Sequence, residues 1–310
     1  MPRKEKDVFG SDACYITQHS FQKYLPLPNS GIDLWHCTYQ GSNYFPRNKS
    51  PKILLTVHDL NFMYDKKKGR EKQKKHLLKL QQQVEAADEV VAISHFVKQE
   101  IEMHCARRNT PIRVIHNGSN VLSHVTPVKP SSFSIPPSFI FTIGTIAVKK
   151  NFHVLPAALV HNRHHLVIAG IAQDKEYVAR IFREADRLNV RDRVHYVGAV
   201  SEAEKYWLLR ECALFAFPSL AEGFGLPVIE AMHFGKPVLL STTTSLPEVG
   251  GPQAEYLQDF SAAEVQYKTE KAMADFSPEK AILIQEWAAQ YNWKHAAHQY
   301  WDVYKRMLYE

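Results

Sequence analysis

The chain of 310 residues carries 38 basic and 32 acidic side chains, a formal charge of +6, and 45% apolar residues. This excludes a disordered chain and is enough to furnish cores for two domains. The mild basic excess suits an anionic ligand, an anionic membrane surface or nucleic acid without choosing among them. Cys14, Cys37, Cys105 and Cys212 are widely spaced with no Cys-x-x-Cys pair, so neither a disulfide framework nor a zinc site is expected, and a reducing compartment fits. Residues 1–7 lead into no apolar signal core, and no stretch approaches the roughly 20 apolar residues of a membrane span. The expected location is cytoplasmic, with any membrane contact peripheral and at the inner face.

Residues 1–32 have few periodic apolar positions and end in the turn formers Pro26, Pro28, Asn29 and Gly31, so no element is assigned there. From Asp33 the pattern sharpens. Residues 34–37 read as a short strand and 53–57 as a second, ending in His58-Asp59-Leu60. Polar groups at a strand's carboxyl end face the ligand edge of an open parallel sheet, which places His58 and Asp59 at a cleft. Leu77, Leu78, Leu80 and Val84 recur at helical spacing in a helix over about residues 70–87. Its basic side holds Lys66, Lys67, Lys68, Arg70, Lys72, Lys74, Lys75 and Lys79, and offers a weak anionic membrane contact through residues 66–79. Glu71, Gln73 and the glutamines at 81–83 dilute that patch, and a solvated helix face is the simpler reading. Basic residues without interleaved aromatics do not suit nucleic acid, and no nucleic-acid partner is expected.

Residues 89–93 form the next strand, Ser94 caps a helix running through Phe96, Val97 and Ile101, and 112–115 is a further strand. Pro127, Pro130, Ser131, Ser132, Ser134, Pro136 and Pro137 mark a linker. Beyond it, the apolar runs 139–143, 166–169, 194–197, 214–217 and 238–240 alternate with helical patterns, which implies an α/β fold with a doubly wound parallel sheet. The organisation expected is a first domain over 1–121, a linker over 122–138, a second domain over 139–291 and a terminal helix over 292–310 that crosses back to the first domain. Trp293, Ala297, Tyr300, Trp301, Tyr304 and Leu308 are expected on one face of that helix.

The most informative stretch follows the run 214–217: Pro218-Ser219-Leu220-Ala221-Glu222-Gly223-Phe224-Gly225-Leu226-Pro227-Val228-Ile229-Glu230-Ala231-Met232. Gly223 and Gly225 allow a tight turn close to a ligand, and Pro227 suits the first position of a helix. That helix would point its free N–H groups and the positive end of its dipole at a diphosphate.

Glu222 and Glu230, with seven residues between them that include Gly-Phe-Gly-Leu-Pro, resemble the Glu-x7-Glu signature of the retaining family 4 glycosyltransferases. The resemblance implies the GT-B architecture, two Rossmann-like domains with parallel sheets facing a cleft. Gly144-Thr145-Ile146-Ala147-Val148-Lys149-Lys150-Asn151 is similar to that family's Gly-Thr-Leu-x-x-Arg-Lys-Asn phosphate-binding turn. Lys150 matches its phosphate lysine, and Lys149 stands where Arg is common, keeping the charge without the bidentate fork. His116-Asn117-Gly118 resembles the turn by which members leave their first domain, and residues 241–251 resemble a Pro-Glu-Val-x-Gly segment in which Glu248 shapes a loop. The resemblance covers 34–308 and lacks the family's opening strand and Gly-rich turn before Asp33, so the N-terminal domain is expected to be incomplete.

Carried over residue by residue, the resemblance implies catalytic roles for Glu222, His58 and Lys150. It implies donor binding by Gly144, Thr145, Lys149, Lys150, Asn151, Glu222, Gly223, Phe224, Gly225, Leu226 and Glu230. Glu230 would accept the ribose hydroxyls, Glu222 those of the donor sugar, and His58 would lie close to the reacting sugar. With no Asp-x-Asp motif, neither a metal nor a cofactor is expected, and diphosphate charge falls to lysines and helix termini. The function expected is metal-independent, retaining transfer of a hexose from a UDP- or GDP-sugar to a glycan or lipid-linked acceptor in cell-surface polysaccharide or lipopolysaccharide assembly. The alternative is a catalytically weak sugar-nucleotide-binding protein that lacks a complete acceptor domain.

Overall fold

The computed structural model describes residues 31–46, 51–64, 69–105, 110–119, 121 and 124–310. Cys14, Lys66, Lys67, Lys68 and nearly all of the stretch 1–32 lie outside them. The described chain forms two parallel sheets. The first holds β1 (Leu34–Cys37), β2 (Lys52–Val57), β3 (Glu89–Ala92) and β4 (Ile112–Val114) in that spatial order.

Side chains alternate across a strand, and here both faces of the first sheet are covered. Leu55, Val57, Val90 and Ala92 pack with Leu80 and Val84 of α1 (Arg70–Ala86) and with Val97 and Ile101 of α2 (His95–His104). Leu54 and Val91 point the other way, onto α9 (Trp293–Tyr309). Strands buried on two faces must be apolar throughout, which is why β2 and β3 carry no clean alternation.

The last helix therefore returns to the first sheet, with a different face from the one expected. Ala296 and Val303 are buried there with Tyr300, Tyr304 and Met307 alongside, whereas Trp301 is 60% exposed and Trp293, Ala297 and Leu308 also face solvent. At 3.6 residues per turn the buried stripe is rotated by roughly 70° from the expected one, so Tyr300 and Tyr304 lie on both while Trp301 and Leu308 fall outside it. Polar anchors confirm the register. His36 Nδ1 lies 2.7 Å from the Tyr304 hydroxyl, the Thr56 and Tyr300 hydroxyls are 3.0 Å apart, and Arg306 meets the buried carboxylate of Glu89, which Arg113 also holds.

The second sheet holds β5 (Phe139–Ile143), β6 (His165–Ala169), β7 (Val194–Gly198), β8 (Leu214–Phe217), β9 (Val238–Ser241) and β10 (Glu255–Leu257) in the order β10-β9-β8-β5-β6-β7. The short edge strand β10 had no apolar run to announce it. α3 (Lys175–Arg187), α4 (Glu202–Glu211), α5 (Leu226–His233), α6 (Leu246–Gly250), α7 (Ala262–Ala274) and α8 (Pro278–Ala289) complete this half. Between β5 and β6 the segment Phe152–Leu159 is a 3-10 helix with Pro156 inside it, where the missing N–H forbids a regular α-helical ladder. Cys37, Cys105 and Cys212 are buried free thiols, and burial pushes those of Cys105 and Cys212 up to about 12. Among the described residues no helix is long and apolar enough to cross a membrane.

Candidate active site

The chain enters the second sheet at β5, builds outward through β6 and β7, then returns to the other side of β5 to add β8, β9 and β10. β5 and β8 are therefore neighbours whose outgoing turns part in opposite directions, the place where open α/β sheets bind ligands. The turn after β5 is 144–151 and that after β8 is 218–225, the two stretches singled out by motif.

Glycine shapes the floor of this crevice. Gly144, Gly170 and Gly198 end β5, β6 and β7 with φ of +156°, +134° and +75°. A Cβ on Gly170 would lie 1.8 Å from the Gly144 carbonyl oxygen, so only glycine there lets the two turns touch. Gly170 and Gly198 went unread in the sequence, although a glycine directly after a buried apolar run is the same signal that marked Gly144. Thr145 sits half-buried beside Gly144. Asn151 closes the turn at φ +58°, a left-handed conformation that Asn tolerates, and its buried Nδ2 makes no hydrogen bond.

Lys150 and Glu222 meet across the crevice. The ammonium stands 2.5 Å from Glu222 Oε1 and 4.8 Å over the Phe217 ring, with only 11% and 12% of the two side chains exposed. Ser219 Oγ donates to the same carboxylate oxygen. Lys149 contributes its carbonyl, which accepts from Leu220 N–H at 2.8 Å and Ser219 Oγ at 3.2 Å. The turn's backbone is held in turn by the hydroxyl run 241–245. Ser241 and Thr243 donate to the Ser219 carbonyl, Thr244 Oγ1 accepts from Glu222 N–H at 3.1 Å, and Ser245 Oγ reaches the carbonyls of Glu222 and Phe224 at 3.1 and 2.8 Å. These hydroxyls were not among the expected site residues. Five consecutive Ser and Thr after a buried strand were their signal.

Gly225, at φ +117°, opens α5 with no side-chain cap, so the first N–H groups of the helix face the crevice end unpaired by a side chain. Leu226 takes the first helical position and Pro227 the second, one residue later than expected, at no cost in hydrogen bonds because that N–H would be free. Phe224 stacks on His116 at 5.9 Å, with Tyr291 edge-on at 5.7 Å.

Glu230 lies deeper, 3% exposed, and Lys205 of α4 donates to its Oε1 at 3.0 Å while standing 2.9 Å from Glu202. Burial raises the Glu230 carboxyl against the pull of Lys205, whereas Glu230 and Glu202 together outweigh burial and raise the ammonium. One ammonium between two carboxylates at hydrogen-bond distance favours the ionised state, and Glu230 is an ion-pair partner in the absence of ligand.

The first half supplies His58 from the end of β2. Its Nε2 lies 2.8 Å from the Thr38 carbonyl and donates its proton there, so that Nδ1 is the ring nitrogen left to accept. A Cβ on Gly223 would fall 1.9 Å from the His58 carbonyl oxygen and 2.8 Å from Asp59 Cβ, so the glycine turn of one half rests directly on the strand end of the other. Ser94, the cap of α2, donates to the Gly223 carbonyl at 2.9 Å. His58, Gly223, Glu222, Lys150, Lys149 and Gly144 thus form one continuous group, with Glu230 and Phe224 set apart from it. The arrangement offers an ammonium, a helix N-terminus and turn amides to an anion, and a carboxylate to hydroxyls.

Two family models match the chain, the one described as glycosyltransferase family 4 over residues 16–121 and the one described as glycosyl transferases group 1 over 129–275. The first reaches upstream of Asp33, beyond where motifs alone carried the likeness. The serotype-specific mannosyltransferase WbdA of Escherichia coli is 29% identical over 279 residues, covering 83% of this chain and 34% of that one. The chain spans about a third of the length of the curated relatives it matches first. A sucrose-phosphate synthase from Thermosynechococcus elongatus superposes with a TM-score of 0.69 at 23% identity, covering 89% of this chain and 74% of its own. The Anabaena HepE structure in complex with UDP and glucose gives 0.68 at 20% identity, over 83% and 72%. Two parallel Rossmann-like sheets, the glycine turns at the switch point and both family matches agree: the chain belongs to the family 4 glycosyltransferases and has the GT-B fold.

Proposed function

We propose that the protein transfers a hexose, mannose by analogy with WbdA, from a nucleoside diphosphate sugar to a glycan or lipid-linked acceptor in cell-surface polysaccharide assembly, with retention and without a metal. The observation that carries this is the Lys150–Glu222 pair joining the two turns at the switch point. An incoming diphosphate competes for the ammonium and draws it from the carboxylate. Glu222 is then free to accept hydroxyls of the donor sugar, and Lys150 with the amino end of α5 stabilises charge on the leaving diphosphate. His58 offers Nδ1 on the acceptor side, and the leaving phosphate receives the acceptor's proton. Glu230 takes the ribose hydroxyls on the oxygen that Lys205 leaves. Work at the cytoplasmic face of a membrane suits such acceptors, with Arg70, Lys72, Lys74 and Lys75 facing anionic lipid. Lys79 is already engaged with the Gly41 carbonyl and Asn43.

A thermal-shift titration with UDP, GDP, UDP-glucose and GDP-mannose tests the reading, because a ligand that binds the native state raises its apparent stability. One nucleotide class should shift the wild type, and Lys150→Ala should bind it about 10–100-fold more weakly, as loss of a hydrogen bond to a charged group implies. No shift with any of the four would overturn the donor site. A shift without turnover on added glycan acceptors would put the catalytically weak binder first.

A further inference from the structure

Glu248, third residue of α6, has its carboxylate engaged across the seam between the two halves. Oε1 accepts from His95 N–H at 2.8 Å and from His116 Nε2 at 2.6 Å, and Oε2 accepts from Phe96 N–H at 3.2 Å. His95 and Phe96 open α2, so a carboxylate from the second half caps a helix of the first, where negative charge is favoured. Burial would raise this carboxyl, but the bonds from His116, His95 and Phe96 outweigh it and hold it below the usual carboxylate range.

The residues just before Glu248 grip the turn that carries Glu222, through Thr244 Oγ1 on Glu222 N–H and Ser245 Oγ on the carbonyls of Glu222 and Phe224. Tyr291 donates to the Glu248 carbonyl at 3.1 Å, and both Tyr291 and His116 pack on Phe224. Five consecutive residues, 244–248, therefore hold the donor-side turn at one end and the first half at the other. The donor atoms of His95, His116 and Glu248 lie within 4.8 Å of one another, a spacing that could suit a divalent cation. The positive end of α2 points at the same place, and the carboxylate already accepts three hydrogen bonds, so the geometry favours a clasp over a metal.

We propose that Glu248 is a positioning residue: by docking α6 on the amino end of α2 and on His116, it sets where the turn 222–225 stands relative to His58. It contacts none of the crevice groups itself and acts through Thr244, Ser245 and Phe224. Its kinetic consequence rests on the transferase reading, and its structural consequence does not.

The test is amide hydrogen exchange on the full chain without ligand, for wild type, Glu248→Ala and Glu248→Gln. His95 and Phe96 lose an acceptor in the alanine variant and will exchange faster whatever the role. The deciding readout is 222–225, which the Glu248 side chain does not touch. There Glu248→Ala should exchange about tenfold faster and Glu248→Gln, which keeps one acceptor oxygen, distinctly less so, with β5 and β6 unchanged as proof of folding. Acceleration confined to 95–97 would overturn the proposal. With GDP-mannose or UDP-glucose as donor, Glu248→Ala should lower kcat about tenfold with donor KM within threefold of wild type, and Glu248→Gln should recover most of it. A loss carried by KM alone would also overturn it. If the wild type shows no turnover, the transferase reading fails while the exchange experiment still decides the clasp.

Discussion

Gly223 and Gly225 stand two residues apart and need to be glycine for different reasons. Gly225 has φ +117° and its added Cβ would lie 3.0 Å from a flexible Leu246 methyl, so its demand is conformational. Gly223 has no such backbone, but a Cβ there would strike the His58 carbonyl at 1.9 Å, so its demand comes from the other half of the molecule. Substitution should separate the two. Gly225→Ala should cost about 1 kcal/mol or more of unfolding free energy, read from urea midpoints, because an L-residue is strained in that region. On the transferase reading, Gly223→Ala should leave nucleotide binding nearly intact and reduce turnover at least about tenfold, because the turn must draw back from His58. Steady-state kinetics beside nucleotide titration measures this, and a Gly223→Ala enzyme with wild-type kcat would show that the contact is incidental.

At the scale of elements, α9 decides how the chain end is used. Glu89 of β3 is 4% exposed and sits between Arg113 and Arg306, so removal of Arg306 leaves a buried carboxylate with half its compensation. Arg306→Ala should destabilise by roughly 1–2 kcal/mol, below the cost of breaking a fully buried pair because Arg113 remains. Trp301→Ala, on the solvent side of the same helix, should stay within about 0.5 kcal/mol of wild type. Urea unfolding of the two variants checks the assignment, and reversed sizes would refute it. The contrast also shows what the sequence can disclose. β5 and β8 emerged with unchanged bounds because strands buried on both faces are unbroken apolar runs. The packed face of α9 did not, because the aromatic positions centre to one side of the stripe that Ala296 and Val303 bury, and only the sheet beneath the helix sets that rotation. In the site, the glycine turns after β5 and β8 were readable through local backbone shape, and Lys150 and Glu222 through the likeness of those stretches to the family 4 motifs. Ser94 was readable as a helix cap and Glu248 as a loop residue, but not the bonds by which Ser94, Ser245 and Glu248 hold other parts of the site, since those reach residues far away in the chain.

At the scale of the whole molecule, each half keeps a half-buried neutral histidine. His36, between β1 and α9, is lowered to about 4 by burial and secondarily by His58, and its ring nitrogens meet the Tyr304 and Thr56 hydroxyls. His153, against Tyr177 of α3, is also lowered to about 4, by burial first and Arg180 second, with Glu184 opposing. The unfolded chain takes up these protons near the ordinary histidine value of about 6.5, and the native protein only near 4. Between those values the unfolded state binds more protons, so stability is full above about pH 6.5 and is lost as pH falls towards 4. Each histidine contributes up to about 1.4 kcal/mol per pH unit in that window. Burial lowers His164, His165, His195 and His233 as well, so they add to the same slope. Glu248 and Glu255, held low by their partners, act only further down, below the ordinary carboxylate value of about 4.3. Urea midpoints measured from pH 7 to pH 4.5 should fall steadily for the wild type and less steeply for His36→Gln and His153→Gln, with the double variant flattest. Because one histidine lies in each half, acid should loosen both sheets over the same window. A double variant with the wild-type slope would show that neither ring is neutral in the folded protein.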